Sequence, residues 1–243
     1  MITLYTISSL WGLPSTSPAC MKLETWLRMA QLSYQKVTQL DRVQSPKGKF
    51  PFIDFEGKLI SDSTLIIEMF RREKDIDLDR GLSPSERAIS LAFRRMLQTN
   101  TYWGMSQIRY LDESNWQSYR QVLANLLFPS VPKEQWEPMV KKIRSKYLAY
   151  MDAQGITRHS DEEIFFIVSG DFQALSDFLA DKPFFLGTQP TTLDATAYSY
   201  IGNAIKPPFK SPIVDYVRRL ENLCQHYDRM TKAFFIDILP PLN

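Results

Sequence analysis

The chain has 243 residues, of which 44% are hydrophobic and 23% are charged, which is ordinary for a folded globular protein and enough for two domains. Its net charge of +2 gives no electrostatic reason to expect a nucleic acid or an acidic membrane surface as a partner. The two cysteines, Cys20 and Cys224, lie far apart in sequence, so a disulfide framework is not expected and a reducing compartment is favoured. Because we find neither a signal peptide nor eighteen consecutive apolar residues, we predict a cytoplasmic protein without a membrane anchor.

The first eighty residues alternate between strand and helix patterns. Apolar alternation and turn residues predict a strand at 2–7, a helix at 18–31, a strand at 34–38, a loop from Asp41 to Lys49, a hairpin of 51–55 with 58–60, and a helix after Asp62-Ser63-Thr64. The order is therefore β-α-β followed by β-β-α.

The remainder of the chain has helical periodicity. The charged run 71–81 is typical of a solvated linker, and Ser83-Pro84 then supplies a cap and a first helical residue. Predicted helices follow at 84–110, 115–128, 132–154, 160–181, 191–204 and 211–230. The fold class is thus an α+β domain at 1–80 followed by an all-helical domain at 82–243.

The stretch from Ser15 to Lys22 links the first strand to the first helix. Ser17 is a favoured N-cap and Pro18 a favoured first residue, while the apolar residues after them recur at helical spacing. Glu24 and Arg28 are spaced to pair on the solvent side of this helix. Because a helix N-terminus presents free backbone N–H groups, this junction is predicted to bind an anion.

Four local motifs in this order resemble those of the glutathione transferase superfamily. They are Ser17-Pro18-Ala19-Cys20, Phe50-Pro51, Asp62-Ser63 and Thr191-Thr192-Leu193-Asp194. The segment 17–30, with Phe93-Arg94-Arg95-Met96-Leu97 and Tyr102-Trp103, is similar to the metaxin and failed-axon-connections branch.

The resemblance implies a thioredoxin-like first domain, glutathione as co-substrate and a possible homodimer. The resemblance does not assure glutathione chemistry across the metaxin and failed-axon-connections branch, whose metaxin members serve mitochondrial protein import. The chain is therefore expected either to conjugate glutathione to a small electrophile or to be a non-catalytic scaffold that keeps the fold.

Ser17 is the candidate catalytic residue. A hydroxyl that donates to sulfur at the positive end of a helix would favour the thiolate, which is the nucleophilic form. The simpler interpretation is a helix cap alone. Thr16 and Ser15 are rival hydroxyls, and Tyr5 is a more distant one. Cys20 falls on the apolar stripe and is expected to be a packed, inert thiol, as is Cys224.

The resemblance also implies how glutathione would be held. Pro51 is expected to follow a cis bond, which leaves the backbone of Phe50 free to pair with the cysteinyl part of the tripeptide. Lys49, or Lys47, could meet the glycyl carboxylate, although a solvated loop explains both. Ser63 and the helix N–H groups would receive the γ-glutamyl carboxylate, with Asp62 near its ammonium.

An Asp at position 62, where the superfamily often has Glu or Gln, shortens the reach by one methylene. An acceptor pocket is expected at the side chains of Tyr102, Trp103, Arg109 and Tyr110, which would otherwise be core. Thr191 and Asp194 are assigned to folding as a capping box. Neither His159 nor His226 has metal partners nearby in sequence, so no metal site is expected.

Overall fold

The computed structural model describes residues 1–38 and 45–238. Residues 41–44 of the predicted loop lie outside them. The strands are β1 (Ile2–Tyr5), β2 (Tyr34–Val37), β3 (Phe52–Phe55) and β4 (Lys58–Ser61). The helices are α1 (Pro18–Met29), α2 (Ser63–Glu73), α3 (Pro84–Arg95), α4 (Tyr102–Tyr110), α5 (Glu113–Leu127), α6 (Lys133–Gln154), α7 (Asp161–Leu179), α8 (Thr192–Ile205), α9 (Pro212–Arg219) and α10 (Glu221–Phe234).

The four strands form one mixed sheet in the order β2-β1-β3-β4. β1 and β2 are parallel because α1 connects them, whereas β3 pairs antiparallel with β1 and, through the turn at Glu56-Gly57, with β4. Leu4 pairs with Ile53, and both side chains are completely buried. The predicted β-α-β and β-β-α order is confirmed, with strand ends shifted by one or two residues.

α1 is buried on almost every side. Leu23 and Leu27 pack with the sheet residues Leu4 and Ile53, while the indole Nε1 of Trp26 donates to Thr192 Oγ1 on α8 at 3.3 Å. The prediction that Glu24 faces solvent is therefore wrong, since its side chain is 1% exposed.

Glu24 is satisfied in the interior by partners that lie on β2. Its Oε2 lies 2.7 Å from Lys36 Nζ, and its Oε1 accepts from the hydroxyl of Tyr34 at 3.0 Å. Arg28, at the predicted spacing, lies 3.7 Å away and also binds Asp237. The sequence spacing identified the contact between Glu24 and Arg28 but not the β2 side chains that cover Glu24.

The predicted solvated linker at 71–81 is only partly correct. α2 extends to Glu73, and Ile76 and Leu78 pack against the sheet core. Asp79 accepts from the backbone N–H of Thr192 at 2.8 Å, which ties this segment to the start of α8. A charged run thus contains two apolar anchors and a carboxylate, that of Asp79, which connects it to α8.

The predicted helix at 84–110 is interrupted by a π-helical turn at Met96–Thr101. Such turns add a residue to the helix and change which face the following side chains occupy. Here Asn100 Nδ2 and Thr101 Oγ1 donate to the partly buried carboxylate of Asp171 on α7, the latter at 2.6 Å. Next to it, Gly104 lets α4 approach α7, because a Cβ there would lie 2.2 Å from Val168 Cγ2.

The predicted helix at 211–230 is two helices, α9 and α10. Leu220 separates them with φ −82° and ψ 82°, and its side chain packs against the helical core. Its carbonyl then accepts from Leu223 and Cys224 at the start of α10. A helical period continues across this break, so the pattern alone could not show it.

α8 is the central helix of the second part, with thirteen of its fourteen residues buried. The buried apolar residues form one cluster on the sheet, α1 and α2, and a larger one among the helices. Across residues 1–38 and 45–238, no helix is long and apolar enough to cross a membrane.

Candidate functional site

Ser17 stands at the junction of the loop after β1 and the first turn of α1. It adopts an extended conformation, and its Oγ accepts from the backbone N–H of Cys20 at 3.4 Å. The residue is half-buried and lines a cleft. The oxygen therefore caps the helix by accepting, and a capping hydroxyl still has its own hydrogen to donate.

The rival hydroxyls differ in position. Ser15 is fully buried, accepts from the backbone N–H of Ser17 at 3.3 Å and does not line the cleft. Tyr5 stacks on Phe52 at 4.4 Å between ring centroids, also outside the cleft lining. Thr16 lies beside Ser17 in the cleft wall, so it remains the second candidate.

Cys20 is completely buried and is not part of the cleft wall. Burial raises the pKa of its thiol, which keeps it protonated and unreactive. This agrees with the expected packed thiol. Cys224 is less enclosed than expected, since it is only half-buried; burial nevertheless raises the pKa of that thiol as well.

The Phe50–Pro51 peptide bond is cis, as predicted. Phe50, Lys49 and Gly48 line the cleft opposite the start of α1, and the Lys49 ammonium lies 5.1 Å from the ring centroid of Tyr150. Lys47, the alternative, is exposed and lies outside the cleft wall. The residue before the cis bond thus lines the cleft, where the prediction places it.

The N-terminus of α2 forms the far wall. Asp62 has φ 78°, a left-handed value that costs energy for a residue with a Cβ and that often marks a functional position. Its Oδ1 accepts from the backbone N–H groups of Thr64 at 2.8 Å and Leu65 at 3.2 Å. Ser63, which is 5% exposed, and Thr64 complete this wall.

Lys22 is a cleft residue that the sequence interpretation missed. Its side chain is 3% exposed, and its Nζ donates to Thr64 Oγ1 at 3.0 Å across the cleft. Burial lowers its pKa to about 7, partly countered by the Asp62 carboxylate. A lysine on an amphipathic pattern is normally exposed, so only the packing of α1 between the sheet and α8 reveals this position.

The predicted acceptor residues Tyr102, Trp103, Arg109 and Tyr110 all line the same cleft. Arg109, however, is mostly committed to structure. Its guanidinium donates to the carbonyl of Thr16 at 2.8 Å and to Asn203 Oδ1 at 2.7 Å. It thus fastens the loop that carries Ser17 to α8, and its role is positioning.

Tyrosines dominate the inner part of the cleft. Burial raises the pKa of Tyr102 and Tyr200, and raises that of Tyr110 and Tyr147 far above the ordinary value, so these phenols stay protonated. Sequence reasoning named two of them. Those it missed come from α5, α6 and α8, whose convergence no local pattern indicates: Tyr119, Tyr147, Tyr150 and Tyr200.

The cleft has a volume of about 510 Å³, within the range of about 300–1,000 Å³ typical of small-molecule sites. Its polar end is formed by the starts of α1 and α2 and by Phe50, and its apolar end by the tyrosines and Leu123, Leu126 and Leu127. A peptide-like polar molecule and a small apolar molecule could therefore meet beside Ser17.

The two histidines lie away from the cleft. His159 is exposed and lies 3.5 Å from Glu163, whereas His226 is fully buried, with its Nε2 2.9 Å from Asp194 Oδ1. Within the described ranges, no group of three or more His, Cys, Asp or Glu side chains is arranged to hold a metal ion.

Comparison with known families gives matches in both parts of the chain. Residues 18–115 match the glutathione S-transferase N-terminal domain, and residues 168–230 match the glutathione S-transferase C-terminal domain. An isoprene-epoxide–glutathione S-transferase of Rhodococcus sp. (strain AD45) is 32% identical over 97% of this chain and 100% of its own length.

Two further relatives belong to the other branch. Failed axon connections of Drosophila melanogaster is 33% identical over 98% of this chain, which spans 59% of that protein. Metaxin-3 of Xenopus laevis is 24% identical over 97% of this chain and 77% of its own length.

Solved structures share the fold at low identity. The beta-etherase LigF of Sphingobium sp. strain SYK-6 has a TM-score of 0.61 at 16% identity, covering 97% of this chain and 99% of that one. The apo form of a glutathione S-transferase III has a TM-score of 0.58 at 15% identity, covering 100% and 99%.

Proposed function

The chain belongs to the glutathione S-transferase family, and we propose that it joins glutathione to a small electrophile in the cleft described above. The observation that carries this proposal is the position of Ser17. Its hydroxyl lies at the start of α1, in the same cleft as the backbone before the cis bond, the N-terminus of α2 and a chamber of protonated phenols.

Glutathione would lie across the polar end. Its cysteinyl backbone would pair with Phe50, and its γ-glutamyl end would reach Ser63 and the unengaged Asp62 Oδ2. Its glycyl carboxylate would approach Lys49. These assignments are supported by the shared cleft wall and by the cis bond between Phe50 and Pro51.

Ser17 would act on the sulfur. A free thiol has a pKa of about 8.5 and is mostly protonated at neutral pH, whereas the thiolate is the nucleophile. A hydrogen bond from the Ser17 hydroxyl and the N-terminal dipole of α1 both stabilise a negative charge placed there.

The apolar end suits an electrophile that gains a proton during the reaction, and an epoxide is the class we propose. The thiol proton would pass to solvent, and the thiolate would attack a ring carbon as the carbon–oxygen bond breaks. The alkoxide oxygen would take a proton from a phenol such as Tyr102 or Tyr110, which solvent would then reprotonate. The name of the Rhodococcus relative supports this class, as do phenols that burial keeps protonated.

Steady-state turnover of glutathione with a small epoxide tests the proposal. Ser17→Ala is expected to lower the rate at pH 7 by about 10- to 100-fold, the loss of one hydrogen bond to a charged group, and to recover as the pH passes the thiol's own pKa. Thr16→Val is the matched control and should retain the rate. Unchanged turnover of Ser17→Ala at neutral pH would remove Ser17 from the mechanism.

The second candidate is a non-catalytic scaffold, which the likeness to failed axon connections and metaxin-3 favours. Calorimetric titration with glutathione separates the two functions. A scaffold would give no binding heat and no turnover with a generic electrophile.

A homodimer and a cytoplasmic location complete the proposal. Exposed leucines on both parts of the chain, Leu59 on β4, Leu65 on α2 and Leu91 on α3, offer apolar surface for a second copy. Light scattering at several concentrations would report the dimer, and cell fractionation the location.

A further inference from the structure

Lys22 is an unusual group because a charged side chain is buried without a charged partner in contact. Its ammonium has three donor hydrogens, and the described residues offer one hydrogen-bond acceptor, Thr64 Oγ1 at 3.0 Å. No carboxylate of residues 1–38 and 45–238 lies within ion-pair distance of it. Buried charges are normally paired, so an unpaired lysine in a cleft wall is a candidate to bind an anion that enters the cleft.

The charges around Lys22 leave the site positive. Asp62, at the start of α2, is the acidic group that favours the ammonium, whereas Arg94 and Arg95 of α3 oppose it, and burial lowers its pKa to about 7. An incoming anion would restore the ordinary lysine pKa and would be strongly held.

The N-terminus of α2 lines the cleft next to Lys22. Asp62 Oδ1 already caps the N–H groups of Thr64 and Leu65, which leaves the amide and the hydroxyl of Ser63 as the donors of that end. Ser63 and Lys22 both line the cleft, and Thr64 connects them. Donors of α1 and α2 thus line the same cleft wall as the carboxylate of Asp62.

A carboxylate beside an ammonium is the head group of an α-amino acid, and glutathione carries one on its γ-glutamyl residue. We propose that Lys22 is a glutathione-binding residue whose ammonium pairs with the α-carboxylate of that γ-glutamyl group. This inference rests on the proposed function. It adds a buried cation from α1 to a subsite otherwise formed by the start of α2.

Thiol-blocked ligands isolate this contact from the sulfur chemistry. The probes are S-methylglutathione and its analogue with a 4-aminobutyryl group in place of γ-glutamyl, which lacks only the α-carboxylate. Lys22→Met is expected to lower the affinity for S-methylglutathione by at least about 30-fold, because it removes one partner of a buried charge pair. It should change the affinity for the analogue by less than about threefold.

Lys49→Met is the matched control at the other end of the cleft. It should lower the affinity for S-methylglutathione and for the 4-aminobutyryl analogue by the same factor. The affinity for γ-glutamyl-S-methylcysteine, which lacks the glycine, should not change. If Lys22→Met loses affinity equally for S-methylglutathione and its analogue, or loses none for either, the proposed role of Lys22 is wrong.

A measurement on the unmodified chain does not depend on any variant folding. At pH 7.5, binding of S-methylglutathione should take up roughly half a proton or more, because the anion raises the pKa of Lys22, and binding of the analogue should not. Calorimetry in two buffers of different ionisation enthalpy measures this uptake. Binding without that difference overturns the inference alone, whereas no binding of S-methylglutathione overturns it together with glutathione transfer.

Discussion

At the scale of single residues, the cleft is defined by side chains whose burial conflicts with their chemistry. Lys22 is 3% exposed although it carries a charge, and Asp62 holds a left-handed backbone conformation although it is not glycine. Both features cost folding free energy, and they are adjacent in space, because Asp62 begins α2 and Lys22 of α1 donates to Thr64 in its first turn. Proteins often retain such costs at ligand sites, which supports the proposal that the polar end of the cleft binds glutathione.

The cost of burying Lys22 has a definite pH dependence. Its pKa is lowered to about 7 in the native state, so between pH 7 and about 10 the unfolded chain holds the extra proton. The free energy of unfolding therefore rises with pH through this window, and the penalty is fully present below pH 7.

Lys22→Met removes that penalty. The variant should be more stable than the unmodified chain at pH 7 by an amount on the order of a few kcal/mol, and the gap should shrink as the pH approaches 10. Urea unfolding across this range measures it. Lys49→Met, which alters an exposed lysine, should show the same pH dependence of the free energy of unfolding as the unmodified chain. If the pH dependence of Lys22→Met is also parallel to that of the unmodified chain, Lys22 is not a buried charge with a lowered pKa.

At the scale of elements, helix N-termini form the polar end of the cleft and also stabilise the core. The same capping-box motif occurs at a buried helix start, that of α8, and at an exposed one, that of α7. In α8, Asp194 Oδ2 accepts from the N–H and hydroxyl of Thr191, and its Oδ1 accepts from Phe185 N–H and lies 2.9 Å from His226 Nε2. All of these lie in the core. In α7 the equivalent box of Ser160 and Glu163 is exposed.

Removing the two capping boxes should therefore lower the free energy of unfolding by unequal amounts. Asp194→Ala leaves buried donors unpaired and is expected to cost about 3–5 kcal/mol of unfolding free energy, whereas Glu163→Ala should cost no more than about 1 kcal/mol. Chemical denaturation of both variants gives the comparison. A loss in Asp194→Ala as small as that in Glu163→Ala would show that the buried network is not the anchor of α8.

At the scale of the whole molecule, local signals predicted the elements but not the packing around them. Caps and periodicity located the strands and most helices, and the motifs around Ser17, Pro51 and Ser63 located the polar end of the cleft. The π-helical turn at Met96–Thr101 escaped prediction because its reason is a contact with Asp171, seventy residues away.

The apolar end of the cleft was predictable only in part for the same reason. Tyr102 and Tyr110 lie in the predicted region, but Tyr147 and Tyr200 come from helices whose arrangement depends on long-range contacts. The helical pattern predicts Glu24 on the solvent side because no feature of its own segment shows that β2 and Lys36 lie over it. A sequence pattern reports on neighbouring residues, whereas the burial of these side chains depends on residues that are distant in sequence.

The ultraviolet absorbance of the thiolate of bound glutathione, followed across pH, tests most directly whether this cleft holds a charged sulfur beside Ser17. In complex with the unmodified chain, the thiol should ionise well below its free pKa of about 8.5, and in Ser17→Ala it should return toward that value. A bound thiol that ionises at the free value in the unmodified chain, or the same lowered value in both proteins, would contradict the account.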